Sequence, residues 1–193
     1  MQYKTVILFF VVSSFILLNA ADAKPKKFKV RKEDSQVEFS ITKWAIFKEE
    51  GRFKDFEGSI IYDPQNPAGT IVDFIVYAGS VDSRNEGRDN VIKSNEFFYT
   101  AKYPTLTFKS MQVQPKGKDS LLVHGVLTMR GVAKNVAIPV KVAGLHYMSE
   151  IGTMVGFETS FTVNREEYGI AKNFDIIGKE ATIHLLIGAS SKD

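Results

Sequence analysis

Cysteine is absent from this chain of 193 residues. A protein without cysteine has no disulfide framework, no thiolate metal site, no cysteine nucleophile and no lipid-modified N-terminal cysteine. Charge of one sign is also scarce, because 25 lysine and arginine residues stand against 22 aspartate and glutamate residues, a formal net charge of +3. So small an excess is no basis for nucleic-acid binding. Hydrophobic residues make up 44% of the chain and charged residues 24%, which is typical of a globular protein and excludes wholesale disorder or a polytopic membrane protein.

The first 23 residues have the organisation of a secretory signal peptide. Lys4 supplies a positive charge, Val6 to Leu18 form a 13-residue apolar stretch broken only by two serines, and Ala21-Asp22-Ala23 gives a small-x-small cleavage pattern. A transmembrane anchor is the alternative, but 13 apolar residues are fewer than the ~20 that span a bilayer. We therefore predict cleavage before Lys24, which leaves residues 24–193 as one exported domain that is not a lipoprotein.

Most of the remaining chain has the alternating pattern of β-strands. In the first run Val37, Phe39 and Ile41 are apolar and their neighbours are polar. Glycine- and proline-rich turns separate the later runs, and the pattern predicts eight or nine strands. An antiparallel sheet of this size hides its edges by closing into a barrel, and a two-sheet sandwich is the alternative. We favour the barrel because the runs are long; the main ones are residues 35–41, 51–62, 70–81, 106–113, 121–129, 136–145, 153–163 and 181–188.

A single helical segment interrupts the strands. Residues 84–93 contain no proline and few β-branched side chains. Ser83 is the predicted N-cap, with Glu86 at the third position after it, as in a capping box.

The predicted mature chain begins with six basic residues between Lys24 and Lys32. An arm for anionic lipid head groups is one interpretation. We favour a solvated terminus or a lysine-protected edge strand.

Motifs for catalysis or metal binding are scarce. His124, His146 and His184 fall on separate predicted strands, so their spacing predicts no zinc site. The chain has neither a glycine-rich phosphate loop nor a nucleophile elbow. Residues 43–48 mix aromatic and basic side chains, which suits single-stranded nucleic acid, but the predicted export signal argues against that partner. What remains is the barrel interior, which in an eight-stranded barrel is either filled by side chains or able to hold one slender ligand.

Six segments, in order along the chain, form a recognisable pattern: Ser35–Ile41, Gly51–Gly58, Ser80–Asp82 with Gly87–Asp89 and Lys93–Phe98, Tyr103–Ser110, Gly125–Thr128 with Arg130–Val132, and Asn164–Ile170. Together they resemble the YceI-like family, also called the polyisoprenoid-binding or lipocalin-like domain family. Lys43 and Val91 depart from the pattern, because members often carry histidine there. The resemblance spans nearly all of residues 28–188.

This resemblance implies an all-β fold, an extended antiparallel β-barrel of lipocalin type with a short helical insertion. It further implies that the interior binds a long apolar lipid such as a polyisoprenoid or a fatty amide, with no cofactor and no metal. Family members are mostly exported bacterial proteins, often periplasmic, and some are homodimers. We therefore expect a periplasmic lipid-binding protein rather than an enzyme or a nucleic-acid-binding protein.

Strand alternation then selects the residues that face such a lipid. The predicted apolar wall comprises Phe39, Ile41, Phe53, Phe74, Val76, Phe108, Leu127, Phe157 and Phe161. At the mouth we expect Phe97, Phe98 and Ile170 to form a lid, and Lys43, Arg88 or Arg165 to meet a polar head group.

Two other functions remain open from the sequence. One is a stress or interaction protein whose barrel is filled and binds no ligand. The other is a lipid hydrolase or isomerase with Asp89 or Glu166 as general base, although nothing in the residue spacing predicts such an activity.

Overall fold

The computed structural model describes residues 25–192, and the predicted signal peptide at residues 1–23 lies outside them. The described residues form eleven β-strands, one α-helix and four short 3₁₀ helices. The strands are β1 (Lys26–Val30), β2 (Gln36–Lys43), β3 (Phe47–Phe53), β4 (Phe56–Tyr62), β5 (Ile71–Tyr77), β6 (Val81–Asp82), β7 (Thr105–Pro115), β8 (Ser120–Met129), β9 (Val132–Met148), β10 (Gly152–Asn164) and β11 (Ile177–Ser191). The α-helix is α1 (Glu86–Lys93), and the 3₁₀ helices are Lys32–Asp34, Pro67–Gly69, Ala78–Ser80 and Arg165–Tyr168.

Eight of the strands close into an antiparallel barrel. Their order around the ring is β1, β4, β5, β7, β8, β9, β10 and β11, and β11 pairs back onto β1. The closing pairs include Lys29 with Ser190 and Val30 with Ala189. Closure removes the free edges that an open sheet would expose. The predicted all-β barrel with one helical insertion is confirmed.

The other three strands lengthen the barrel at one end. β2 pairs with residues 177–186 of β11, which come before the residues of β11 that pair with β1. β3 then pairs with β2, and β6 pairs with β3. Three sides of the barrel therefore each consist of two strands in succession, β1 with β2, β3 with β4, and β5 with β6. The interruptions fall at Lys32–Asp34, at residues 54–55 and at Ala78–Ser80, which is why eleven strands stand where the alternation predicts eight or nine.

The basic start of the mature chain forms an interior strand of the sheet. β1 pairs with β4 on one side, through Lys26 with Tyr62 and Phe28 with Ile60, and with β11 on the other. Phe28 is completely buried, whereas Lys27 and Lys29 are exposed on the outer face. The prediction of a solvated terminus or an edge strand is therefore wrong, because alternating lysines keep the outer face wet while both backbone edges of β1 are paired.

Helix α1 begins two residues later than the sequence suggests. Its N-cap is Asn85, whose side chain accepts a hydrogen bond from the backbone N–H of Arg88 at 2.9 Å. The predicted cap, Ser83, instead donates its hydroxyl to the Asp89 carboxylate at 2.6 Å and accepts from the Arg88 side chain at 2.9 Å. The Ser83 prediction is wrong, because Ser83 follows directly on β6 and its hydroxyl joins a side-chain network above the strand.

Two glycines allow aromatic rings to lie flat inside the barrel. A Cβ at Gly51 would approach the Phe39 ring to 2.5 Å, and a Cβ at Gly125 would approach the Phe108 ring to 2.6 Å. The Phe39 ring lies over the backbone of β3, since Phe39 pairs with Gly51 across β2 and β3. The Phe108 ring lies over the backbone of β8 at Gly125. The lack of a side chain is what lets the rings turn along the barrel wall.

Candidate functional site

The barrel encloses a deep apolar cavity of about 150 Å³. It lies at the end of the barrel away from α1, and inward-facing side chains of the eight sides line it. Hydrocarbon forms nearly all of its surface, with hydroxyls from a few threonines such as Thr159. The hydroxyl of Thr159 already donates to the carbonyl oxygen of Pro139 at 2.5 Å. This cavity, which we call the deep part, therefore offers an apolar ligand little polar contact.

A second cavity, of about 370 Å³, lies at the opposite end beneath α1. We call it the mouth part. Its walls come from the ends of β2 and β3, from α1, and from the segments around Phe97, Ile170 and Phe174. Aromatic rings pack across it, with ring centroids 5.7 Å apart for Phe53 and Phe98 and 5.1 Å apart for Phe97 and Phe174. The mouth part is apolar in the main but, unlike the deep part, also contains charged side chains.

The two parts share a wall. Five residues line both cavities, namely Phe39, Phe53, Leu106, Met129 and Ile183. Phe39 and Phe53 contact each other there, with ring centroids 5.6 Å apart. The cavities thus adjoin along the barrel and share this ring of side chains, and we call the two together the tunnel.

All fifteen residues predicted from the sequence to line the site lie on this tunnel. Of the nine wall residues, Ile41 lies on the mouth part and the other eight on the deep part, with Phe39 and Phe53 on both. The six mouth residues, Lys43, Arg88, Phe97, Phe98, Arg165 and Ile170, all line the mouth part.

Three charged side chains form a row on the mouth wall. Glu49 lies between two cations: its carboxylate forms an ion pair with the Arg88 guanidinium and lies 3.6 Å from the Lys43 ammonium. Arg88 is held from its other side by Ser83, to whose backbone oxygen it donates at 2.8 Å. All three side chains are partly exposed, so water reaches the row. The row carries one net positive charge next to an apolar cavity.

Arg165 lies close to this row but has a different set of partners. Its guanidinium donates to backbone carbonyl oxygens at 2.8–3.1 Å, those of Ile170, Phe174, Ile177 and Gly178, and also to that of Ala171. The residue is only 4% exposed. Burial lowers the pKa of the Arg165 guanidinium, and the nearby carboxylates of Glu166 and Asp175 partly offset that effect. With its N–H groups occupied, Arg165 closes the loop between β10 and β11 and has no donor left for a ligand.

Glu49 is the mouth residue that sequence reasoning missed. It has the same alternation parity as Gly51 and Phe53, which face the interior, so the signal was present in the strand pattern. Phe174 and Ile176 were also missed. They lie on an irregular segment before β11, where no periodicity indicates which side chains turn inward.

Among residues 25–192 no helix is both long and apolar enough to span a bilayer. An eight-stranded antiparallel barrel with an apolar tunnel and a charged mouth belongs to the lipocalin type of fold.

The chain belongs to the YceI-like family, because the family model for the YceI-like domain matches residues 28–189. A UPF0312 protein of Pseudomonas aeruginosa is 33% identical over 173 residues, which cover 89% of this chain and 90% of that protein. Protein YceI of Escherichia coli O157:H7 is 31% identical over 170 residues, 87% of this chain and 88% of its own.

Solved structures share the fold at lower identity. BcnA of Burkholderia cenocepacia superposes with a TM-score of 0.76 at 23% identity, over 82% of this chain and 98% of that one. A polyisoprenoid-binding domain from Saccharophagus degradans superposes with a TM-score of 0.66 at 16% identity, over 88% of this chain and all of that one.

Proposed function

We propose that this protein binds a long apolar lipid, of the polyisoprenoid or fatty amide kind, inside the barrel and sequesters or carries it outside the cytoplasm. The observation that carries the proposal is the apolar tunnel formed by the deep and mouth parts. Its combined volume falls within the roughly 300–1,000 Å³ usual for small-molecule sites. A narrow tunnel lined by hydrocarbon suits a linear chain better than a compact polar ligand.

The energetics favour such a ligand. Each CH₂ that leaves water for an apolar wall contributes about 0.8 kcal/mol, so a few isoprene units offset the ordering of a flexible chain. The head group would remain at the mouth, where Lys43 and Arg88 flank Glu49. Because Arg165 already binds backbone carbonyls, we assign the head-group role to Lys43 and Arg88 alone. The Saccharophagus degradans domain is described as polyisoprenoid binding, which agrees with this ligand class.

A binding role accounts for the site better than catalysis does. The two carboxylates considered as general bases are engaged elsewhere, since Asp89 accepts hydrogen bonds from Ser83 and Glu166 lies 3.4 Å from the Lys179 ammonium. Neither is among the residues that line the tunnel. We therefore propose a carrier or scavenger rather than a lipid-modifying enzyme.

Export to the periplasm is part of the proposal and rests on the predicted signal peptide. Its test is the mass of the protein recovered from a periplasmic extract of a Gram-negative host. A mass that begins at Lys24 supports export and cleavage. A full-length mass in the cytoplasmic fraction contradicts both.

The ligand is tested by native mass spectrometry of the purified protein, followed by titration with farnesol and with a longer polyprenol. We expect a bound lipid, or saturable uptake of one. In the variant Phe161→Trp the larger ring would obstruct the deep part and abolish uptake of the long chain. The matched control is Leu186→Trp, which enlarges an exposed side chain on the outside of β11.

Two outcomes would overturn the carrier proposal. If neither prenol binds and no lipid co-purifies, the barrel is filled in solution and an interaction protein becomes the better explanation. If Phe161→Trp and Leu186→Trp bind the long chain equally well, the lipid occupies some other site.

A further inference from the structure

The turn between β2 and β3 exposes large apolar side chains beside the tunnel mouth. Trp44 is 58% exposed, Ile46 77% and Phe47 54%. Val91 of α1 and Ile176 are also about half exposed, and both line the mouth part. Trp44 is tied to Ile176 by a hydrogen bond from its backbone N–H to the Ile176 carbonyl at 2.7 Å. We call these five residues the apolar rim.

The turn adopts a backbone conformation that suits its residues poorly. Trp44 has a φ of 49° and Ala45 a φ of 60°, and the N–H of Ile46 donates to the carbonyl of Lys43 at 3.2 Å. Two central residues with positive φ define a type I′ turn, which favours asparagine and glycine. Tryptophan and alanine at these positions weaken the fold by about 1–2 kcal/mol each. A strained turn that presents a tryptophan to solvent indicates a role other than stability.

The charges around the turn suit an anionic partner. Residues 43–48 contain two lysines and no carboxylate, and Lys43 lies over the Trp44 ring at 4.5 Å. Their acidic partners, Glu49 and Glu50, follow further along β3 and away from the turn. The pair between Lys48 and Glu50 is largely exposed at both ends, so it contributes little and leaves Lys48 free to move to another anion.

We propose that the apolar rim docks on the surface of an anionic lipid bilayer, so that lipid passes between membrane and tunnel without crossing water. Tryptophan and aliphatic side chains flanked by lysine are typical of membrane-interface segments. The rim lies around the tunnel entrance, where the proposed lipid ligand would enter and leave. This inference therefore rests on the proposed function. Single-stranded nucleic acid fits less well, because Ile46, Val91 and Ile176 offer no ring on which a base could stack.

Trp44 allows a direct test, because it is the only tryptophan of the chain. Vesicles of phosphatidylethanolamine and phosphatidylglycerol should shift its emission to shorter wavelength, and lipids brominated along their acyl chains should quench it. Vesicles of phosphatidylcholine alone should give a smaller effect, because they lack the negative charge. Emission that no vesicle changes would overturn the proposal. A change of Trp44 emission with a single-stranded oligonucleotide but with no vesicle would also overturn it. Burial of Trp44 in a dimer that vesicles do not dissociate would have the same consequence.

Substitutions separate docking from folding. The double variant Trp44→Asn, Ala45→Gly should be more stable than the wild type, because its turn is relaxed, yet its partition onto anionic vesicles should fall about tenfold or more. Ile46→Ser should lower the partition in the same direction and keeps the fluorescent reporter. The matched control is Tyr147→Ser, which removes an even more exposed ring at the other end of the barrel. Equal partition of all these variants would contradict the proposal.

A membrane-free assay distinguishes this inference from the proposed function. Farnesol delivered from cyclodextrin should bind the double variant as well as it binds the wild type, while uptake of vesicle-borne prenol becomes slower. Binding from cyclodextrin without any vesicle partition would leave the carrier function standing and overturn the docking. Vesicle partition without any prenol binding would overturn the carrier function and leave a membrane-associated barrel.

Discussion

The two parts of the tunnel are built in different ways. Apart from Thr70, which directly precedes β5, strand residues form the deep part, and most of its side chains follow the alternation of the sheet. The mouth part depends on α1 and on two irregular segments that polar contacts hold in place, including the hydrogen bonds of Arg165 and those from Arg130 to the carbonyls of Gly169 and Asn95. In the proposed carrier, the deep part would select for chain length and the mouth part for the head group.

The largest expected effect comes from removing the polar support of the mouth. Arg165→Met leaves several buried carbonyl oxygens without a donor, and the free energy of unfolding should fall by at least about 3 kcal/mol. Urea denaturation measures the change. Arg31→Met is the control, because the Arg31 side chain pairs with Glu33 and Asp34 near the surface and its loss should change stability much less. Equal stability of the two variants would show that Arg165 does not hold the mouth together.

A second change acts on the deep part alone. Val123 is buried on its wall, near the start of β8 and far from α1. Val123→Phe should shorten the tunnel, so that affinity for a long polyprenol falls roughly a hundredfold while farnesol still binds. Competition against a fluorescent fatty acid provides the measurement. Equal losses for both prenols would mean that the chain length is not read in the deep part.

The same contrast explains which features the sequence could predict. Phe39, Phe108 and Phe157 were assigned to the wall because a strand offers only two faces, and an apolar residue that alternates with polar ones faces the core. The lysines of β1 wrongly indicate an edge strand, because edge strands and interior strands with a solvated outer face share an alternating Lys-Phe-Lys pattern. For β1, only the pairing partners β4 and β11 decide between the two.

At the mouth, residue type was a weaker guide. Arg165 was expected to meet a ligand, but its guanidinium binds the backbone of its own loop. An irregular segment has no periodic pattern in the sequence. The sequence therefore could not predict which carbonyl groups Arg165 binds or that Phe174 points inward. Ser83 and Asn85 are both good N-cap residues, and the backbone conformation that selects Asn85 is set by the end of β6.

A third, smaller effect concerns head-group charge. Glu49→Gln removes the carboxylate between Lys43 and Arg88 and leaves two cations at the mouth. The affinity for farnesyl phosphate relative to farnesol should rise about five- to tenfold. Glu158→Gln is the matched control, because the Glu158 side chain is 54% exposed on the outer face of β10 and pairs with Lys141. If both variants give the same ratio, the row of charges does not select the head group.

The smallest expected effect is a pH dependence confined to the mouth end. The backbone N–H of Arg84 and then the Arg52 guanidinium, at 3.0 and 3.1 Å, lower the pKa of Asp82, which ties β6 and the start of α1 to β3. Because the folded-state pKa lies below the unfolded value of about 3.9, this contribution is present at neutral pH and is lost as the pH falls through the folded-state value. Asp82→Asn should therefore be less stable than the wild type near pH 7, and the difference should shrink towards about pH 3. The urea midpoints of wild type and variant at both pH values measure the effect, and Asp73→Asn on β5 is the control. Hydrogen exchange should show the loss of protection in β6 and α1 rather than around the deep part. A difference that stays constant with pH would mean that the ionisation of Asp82 does not contribute to stability, and the acid sensitivity of the two ends would then be the same.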